Sequence, residues 1–325
     1  MNDPSPTGSN LSIKFSNITS EDVLRLSVPV MVSFIVNIII NSITCPLTVL
    51  LNVLVIMAVK RRPTLQSYAN ILLACLAATD VVSGLLVQPS FILHMFLKLL
   101  EVDDEHFEDV VIDIHDSALR GLLVCSSLHL MLVTYERIIA IKYTLNYFVI
   151  MTKKKLKIAV AVCWLLPIFS ELFKDITGDS LFSNVLVALT LVSCVLFISI
   201  SYLLLYRETR RHHKKMKTEQ LPREEVERFT KEKKALKTSV FVVGAVLLCF
   251  FPSIVLLSLV FHFSLDVVVI SNLYVILLPF VRTSGMSNSF LNPLIYCLRQ
   301  KEIRKFVFRF STVQQVHPTH YLINK

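Results

Sequence analysis

The sequence predicts an all-α membrane protein, a bundle of seven transmembrane helices followed by a short amphipathic helix at the cytoplasmic surface. Three observations carry that reading. The chain of 325 residues is 54% hydrophobic and only 18% charged, where soluble domains carry roughly 25% charged residues, and its mean hydropathy is +0.63. The apolar residues fall into seven long runs, each near the about 20 residues that a helix needs to cross a bilayer core. The charges gather between the runs. A cytosolic enzyme is excluded by this pattern, and twelve Pro with only six Gly fit neither disorder nor a collagen-like repeat.

The runs lie at about 30–59, 66–97, 111–141, 156–177, 182–206, 235–262 and 269–298. They are continuous and lack the alternation of a membrane strand, so they read as helices. Residues 1–29 are polar and carry no basic-then-apolar leader, so the first span is expected to serve as its own insertion signal. Asn10-Leu11-Ser12 and Asn17-Ile18-Thr19 are glycosylation acceptors and fit an extracellular tail. Charge sets the expected orientation. Lys60, Arg61, Arg62, the run from Lys153 to Lys157, the stretch from Arg207 to Lys217 and the tail from Arg299 to Lys305 share one side. Glu101, Asp103, Asp104, Glu105, Glu108 and Asp109 occupy the other. Basic loops stay in the cytoplasm, which places the N-terminus outside and the C-terminus inside the plasma membrane. The formal charge of +9 then reflects topology and contact with anionic lipid, not a nucleic-acid surface.

Three regions follow: an extracellular tail at 1–29, a transmembrane domain at 30–298, and an amphipathic helix with a cytoplasmic tail at 299–325. Ile303, Phe306, Val307 and Phe310 fall on one face of the segment after the seventh span, with Arg304, Lys305 and Arg309 on the other, as in a helix lying on the inner leaflet. The stretch at 207–234, with Pro222 and dense mixed charge, reads as cytoplasmic extensions of the fifth and sixth helices around a break. There is no internal repeat of the kind that builds many transporters. The seven Cys all lie within or beside spans, so no extracellular disulfide is expected. Cys297, at the inner interface, is a candidate for palmitoylation.

Polar groups inside a bilayer are costly and point to function. Asp80 sits deep in the second span, with Asn52, Ser126, Asn288 and Asn292 at similar depth. Carboxylate, amide and hydroxyl oxygens suit a small hard cation; a hydrogen-bond network around a protonated Asp80 is the alternative. At the inner end of the third span, Arg137 can pair with Glu136 and with Glu232 of the sixth, a latch with two states; an interfacial Arg snorkelling to the headgroups is the alternative. Pro252 and Pro293 each remove a backbone bond and kink their helices.

Taken together and in order, Asn52, Asp80, Glu136-Arg137, Trp164, Phe250-Phe251-Pro252 and Asn292-Pro293-Leu294-Ile295-Tyr296 resemble the span signatures of rhodopsin-like G-protein-coupled receptors. The resemblance covers about residues 30–310. It implies an extracellular ligand, small molecule or peptide, and a heterotrimeric G protein inside. It implies that Arg137 and Leu145 contact that G protein and that Tyr202 and Tyr296 hold the active state. It also implies a sodium pocket at Asp80, Ser126, Asn288 and Asn292, and a latch completed by Glu232. The usual Cys atop the third helix is Ile112 here, and Cys194 stands in place of the fifth-helix Pro. Those departures, with the run from Leu145 to Thr152, resemble the melanocortin branch, in a cluster with adenosine and cannabinoid receptors.

Matching positions narrow the ligand. Leu119 stands where amine receptors of this family carry an Asp, so a monoamine bound in the usual way is not expected. Met286 stands where opsins carry the retinal Lys, which excludes covalent retinal. Only Asp116 matches the three-carboxylate calcium site of melanocortin receptors, with Ser90 and Ile112 at the other positions; no metal beyond sodium is expected. Arg120 and Arg282 point to an anionic group on the ligand, since guanidinium forks match carboxylates; neutralisation of one Arg by Asp116 is the alternative. No nucleophile, metal cluster or phosphate loop supports an enzyme. A plasma-membrane channel or transporter using Asp80, Arg120 and Arg282, or a seven-helix decoy that no longer signals, are the other classes.

Overall fold

The computed structural model describes residues 28–101, 104–143, 146–178, 180–218, 241, 244–245, 247–249, 251–252, 255–256 and 267–313. These form helices and short connections, with no strand among them. Five described helices are long and apolar enough to cross a membrane: Val28–Arg61, Tyr68–Leu99, His106–Lys142, Lys153–Thr177 and Leu181–Ser201. They cover the first to fifth predicted spans, and the helix Val267–Arg299 covers the seventh. Most of the sixth span lies outside the described residues, as do Asn10, Asn17, Leu145, Glu232 and Phe250. Inner and outer below follow the orientation that the sequence predicts.

Each helix begins where local chemistry allows. The Asp104 carboxylate accepts from the Phe107 N–H at 3.0 Å and starts the third helix at Glu105, about two turns before the apolar run begins. Capping oxygens satisfy amides that the first turn leaves unpaired, so acidic residues that read as loop extend the helix outward. Ser67 and Thr152 cap the second and fourth helices in the same way. The fourth ends at Gly178, whose φ of +70° suits a residue without a Cβ. The fifth resumes by Ser180 and runs on to Thr218, well past the apolar run. The fifth helix thus continues into the charged stretch, and the part of that stretch expected to extend the sixth lies outside the described residues.

Burial divides the first helix by face. Ser33, Asn37, Asn41, Thr48, Asn52 and Val55 are buried at helical spacing. Ile35, Ile39, Ile43 and Leu50 are exposed, as hydrocarbon around the bundle requires. The inner core gathers Val55, Leu72, Leu130 and Tyr296 with Ile303 and Phe306 of the amphipathic helix Lys301–Val313. Cys297 packs into this cluster at 7% exposure. The outer core is Val30, Phe34, Val87, Phe91, Met95 and Met286.

The second helix widens to a π-turn at Ser83–Val87, just ahead of Pro89. There Gly84 lies against the first helix: its carbonyl accepts from the Cys45 thiol at 3.1 Å, and an added Cβ would stand 2.8 Å from Val49 Cγ2. Overpacking of this kind costs about 1–3 kcal/mol. Gly84→Val is therefore expected to lower cell-surface receptor severalfold in flow cytometry; unchanged surface staining would show that the helices part freely.

Candidate functional site

The polar residues singled out in the sequence converge at mid-depth. Asp80 and Asn292 are fully buried, and Asn292 Nδ2 donates to Asp80 Oδ2 at 2.9 Å. Asn52 Nδ2 donates to the Thr48 and Ser289 carbonyls at 2.9 and 3.0 Å. Ser126 meets Thr79 at 3.1 Å. Beside them is a cavity of about 30 Å³ lined by Leu119, Leu122, Ser126, Met286, Asn288 and Asn292 among others. A water needs roughly 10–15 Å³ on this measure, so the space suits two waters or a small ion and no organic ligand. Asp80 Oδ1, Asn288 Oδ1 and Asn292 Oδ1 are buried acceptors without a hydrogen-bond partner. Asn288 and Asn292 line the water-sized cavity, and unsatisfied oxygens there fit a hard cation.

At the inner end of the third helix, Glu136 is fully buried and held from two directions. Arg137 Nε donates to one carboxylate oxygen, and Tyr147 Oη donates to the other at 2.6 Å. Tyr147 belongs to a one-turn helix, Tyr147–Ile150, in the second inner loop, and its ring stacks beside Tyr68 at 6.1 Å. The loop is thus fastened to the third helix through the same carboxylate that engages Arg137. Tyr296 is also fully buried, and its hydroxyl has no hydrogen-bond partner. Pro293 lies within the seventh helix. Pro252 is half-buried in the described part of the sixth, where the Cys249 carbonyl accepts from Ser284 at 2.9 Å. Tyr202 lies in the fifth helix.

In the outer half, both arginines have acidic partners. Arg282 Nη2 stands 2.9 Å from Asp116 Oδ1, joining the seventh helix to the third. Arg120 turns toward the fourth and fifth helices instead: Nη2 lies 3.1 Å from Glu171 Oε2. Ser183 donates to Glu171 Oε1 at 2.6 Å, and Lys174 reaches Ser117 at 2.8 Å. Leu119 and Met286 line the cavity one turn from Asp116 and Arg282, so neither position offers a counter-charge or an amine. Ser90 bonds the Leu86 carbonyl, and His115 beside it is fully buried.

Membership follows from the chain as a whole. Residues 51–177 and 172–296 match the sequence profile described as 7 transmembrane receptor (rhodopsin family). The chain belongs to that family. Rhodopsin-family relatives include trace amine-associated receptor 2 of Rattus norvegicus, 27% identical over 83% of this chain and 82% of that protein. Melanocortin receptor 5 of Rattus norvegicus is 25% identical over 78% and 77%. Melanocortin receptor 3 of Mus musculus is 26% identical over 78% of each chain. The chain is therefore a rhodopsin-like class A receptor and a multi-pass membrane protein.

Three polar groups in this rhodopsin-like bundle lie outside the sequence reading. Asn37, Asn41 and Thr283 form a buried junction between the first and seventh helices. Thr283 donates to Asn37 Oδ1 at 2.6 Å and accepts from Asn41 Nδ2 at 2.8 Å. Their four-residue spacing along the first span was the available signal. Glu171 reads as a residue near a span end until the fold turns it inward. Tyr147 sits in a loop, where periodicity says nothing about its partner.

Proposed function

We propose that this receptor takes an extracellular ligand in the outer half of its bundle and activates a heterotrimeric G protein at its cytoplasmic face. The observation that supports this best is the double capture of Glu136 by Arg137 and Tyr147. Such a junction stores Arg137 beside the inner loop in one state and releases it in another. On this reading the basic side is cytoplasmic, Glu232 completes the latch, and Leu145, Tyr202 and Tyr296 act with Arg137 in the active state. Asp80, Ser126, Asn288 and Asn292 hold a sodium ion, whose charge would stabilise the resting bundle. A carboxylate on the ligand engages Arg282, whose partner Asp116 keeps 32% of its side chain exposed, whereas Glu171, the partner of Arg120, keeps 15%. The names of the relatives point to trace amines and to melanocortins; Leu119 removes the expected amine partner.

Basal activation of a panel of G-protein α-subunit biosensors, at matched surface expression, tests the reading. Glu136→Gln weakens both contacts at once, and basal signal is expected to rise severalfold. Arg137→Ala is expected to abolish it. Signal that persists undiminished in Arg137→Ala would remove the proposed G-protein contact.

A further inference from the structure

Three consecutive residues of the seventh helix each hold a different neighbour. Arg282 Nη2 meets both Asp116 oxygens of the third helix, at 2.9 and 3.2 Å. Thr283 donates to Asn37 Oδ1 at 2.6 Å and accepts from Asn41 Nδ2 at 2.8 Å, both on the first helix. Ser284 donates to the Cys249 carbonyl of the sixth at 2.9 Å. Successive residues point about 100° apart around a helix, so Arg282 and Ser284 lie on nearly opposite sides, with Thr283 between them. Thr283 is 6% exposed, and Asn37 and Asn41 are fully buried; Asp116 keeps 32% of its side chain exposed. The first helix also grips the seventh above and below this level. Ser33 donates to the Ile276 carbonyl at 2.8 Å, and Asn52 to the Ser289 carbonyl at 3.0 Å.

We propose that Arg282, Thr283 and Ser284 form a transmission element: Thr283 is the pivot, and Ser284 is a positioning residue that holds the sixth helix closed until Arg282 leaves Asp116. The inference rests on the receptor reading and deepens it, since a ligand carboxylate at Arg282 is what opens the ion pair. Mechanics carry the argument. Polar contacts to the first helix at Ile276, Thr283 and Ser289 keep the seventh from sliding along it. A turn about that seam is the motion left to it. Arg282 and Ser284 flank the pivot on one rigid helix, so a turn that draws Arg282 off Asp116 also draws Ser284 off Cys249. The Cys249 carbonyl stands three residues before Pro252, in the stretch where the missing proline N–H opens the helix. In a bilayer such backbone relies on side chains of neighbouring helices, and Ser284 supplies one. While that bond holds, the sixth helix is tied to the seventh at its own kink. Without it, swinging the inner end of the sixth costs less. The ion pair in the outer half and the kink of the sixth helix thereby share one moving part.

The test measures basal activation of G-protein α-subunit biosensors per full-length receptor at the cell surface, at expression levels well below saturation of the sensor. Ser284→Ala is expected to raise basal signal about two- to tenfold, the worth of one hydrogen bond made in the resting state alone. Ser284→Thr keeps the hydroxyl and should stay near wild type; Ser284→Cys, a weaker donor, should fall between. Ser287→Ala removes a hydroxyl bonded to the Thr283 carbonyl within the same helix and should leave the signal unchanged. Asp116→Asn should raise basal signal as well, by loosening Arg282. The double variant Asp116→Asn with Ser284→Ala decides the coupling. Its signal should fall short of the product of the two single effects by about twofold or more, because both act through the same bond. Effects that multiply in full overturn the transmission element, as does a Ser284→Ala receptor with wild-type signal. If Ser284→Ala fails to reach the surface, Ser284→Cys takes its place in the same cycle. Glu136→Gln separates the two readings: a rise there with none from Ser284→Ala overturns this inference and leaves the receptor reading standing. Silence from every variant at good surface expression overturns both.

Discussion

Glu171→Leu is expected to cost most of the receptor at the cell surface. Glu171 is the only carboxylate within reach of Arg120 among the described residues, and it also faces Lys174 at 3.8 Å and accepts from Ser183. Its loss leaves Arg120 without a carboxylate, beside Lys174, which keeps Asp175 at 3.6 Å; the two cations share Ser117 as a hydrogen-bond acceptor. Removing one member of a buried pair costs about 3–5 kcal/mol; with some water contact retained at these side chains, roughly 2–3 kcal/mol is expected after screening. Surface staining and the unfolding midpoint of purified protein should both fall sharply. Arg120→Leu together with Glu171→Leu should recover much of the loss, because the stranded guanidinium goes with its partner. A single variant near wild type would show that lipid headgroups or water take over the cations.

Asn292→Leu is the second large effect. It removes the donor to Asp80 Oδ2 while Asp80 Oδ1 already lacks a hydrogen bond. Fully buried Asp80 then loses that amide donor, and about 1–3 kcal/mol of destabilisation is expected. Pairing it with Asp80→Leu should restore surface expression, since a well-packed apolar pair can replace a buried polar one. Basal G-protein activation should be lost in that double variant. Recovery of expression without signalling would separate the role of the pair in switching from its role in folding. Recovery of both would reduce the pair to packing.

The features that the sequence announces are those in which chemistry conflicts with its surroundings. Asp80, Asn52 and Asn292 stand out because a bilayer makes polar groups costly, and the fold brings them together as that cost demands. Glu136 and Arg137 stand out as adjacent charges at a span end, and they do meet. Arg120 and Arg282 stand out too, but their partners depend on helix rotation. A change of about 100° about the third helix axis, one residue in sequence, decides whether Arg120 faces the cavity or the fourth helix. It faces Glu171, and no spacing rule in the chain foretells that. The buried junction of Asn37, Asn41 and Thr283 was hidden for another reason. Single amides and hydroxyls are mild enough to pass as tolerated residues in an apolar run, and only their alignment on one face reveals a seam. The early start of the third helix at Glu105 comes from a cap that a hydropathy window cannot register.

The π-turn at Ser83–Val87 bears on how the second helix tolerates change in chain length. A turn of this kind absorbs one surplus residue locally and lets the helix on either side keep its phase. Its widened backbone also hands carbonyls to outside donors, Gly84 to Cys45 and Val87 to His115. Deleting a single residue here would draw the turn back to ordinary α geometry, with Phe91 and Met95 still facing inward and Asp80 unmoved. The same deletion a turn toward either end would rotate everything beyond it toward lipid. The segment is therefore where this helix can lose a residue and keep both of its ends in phase.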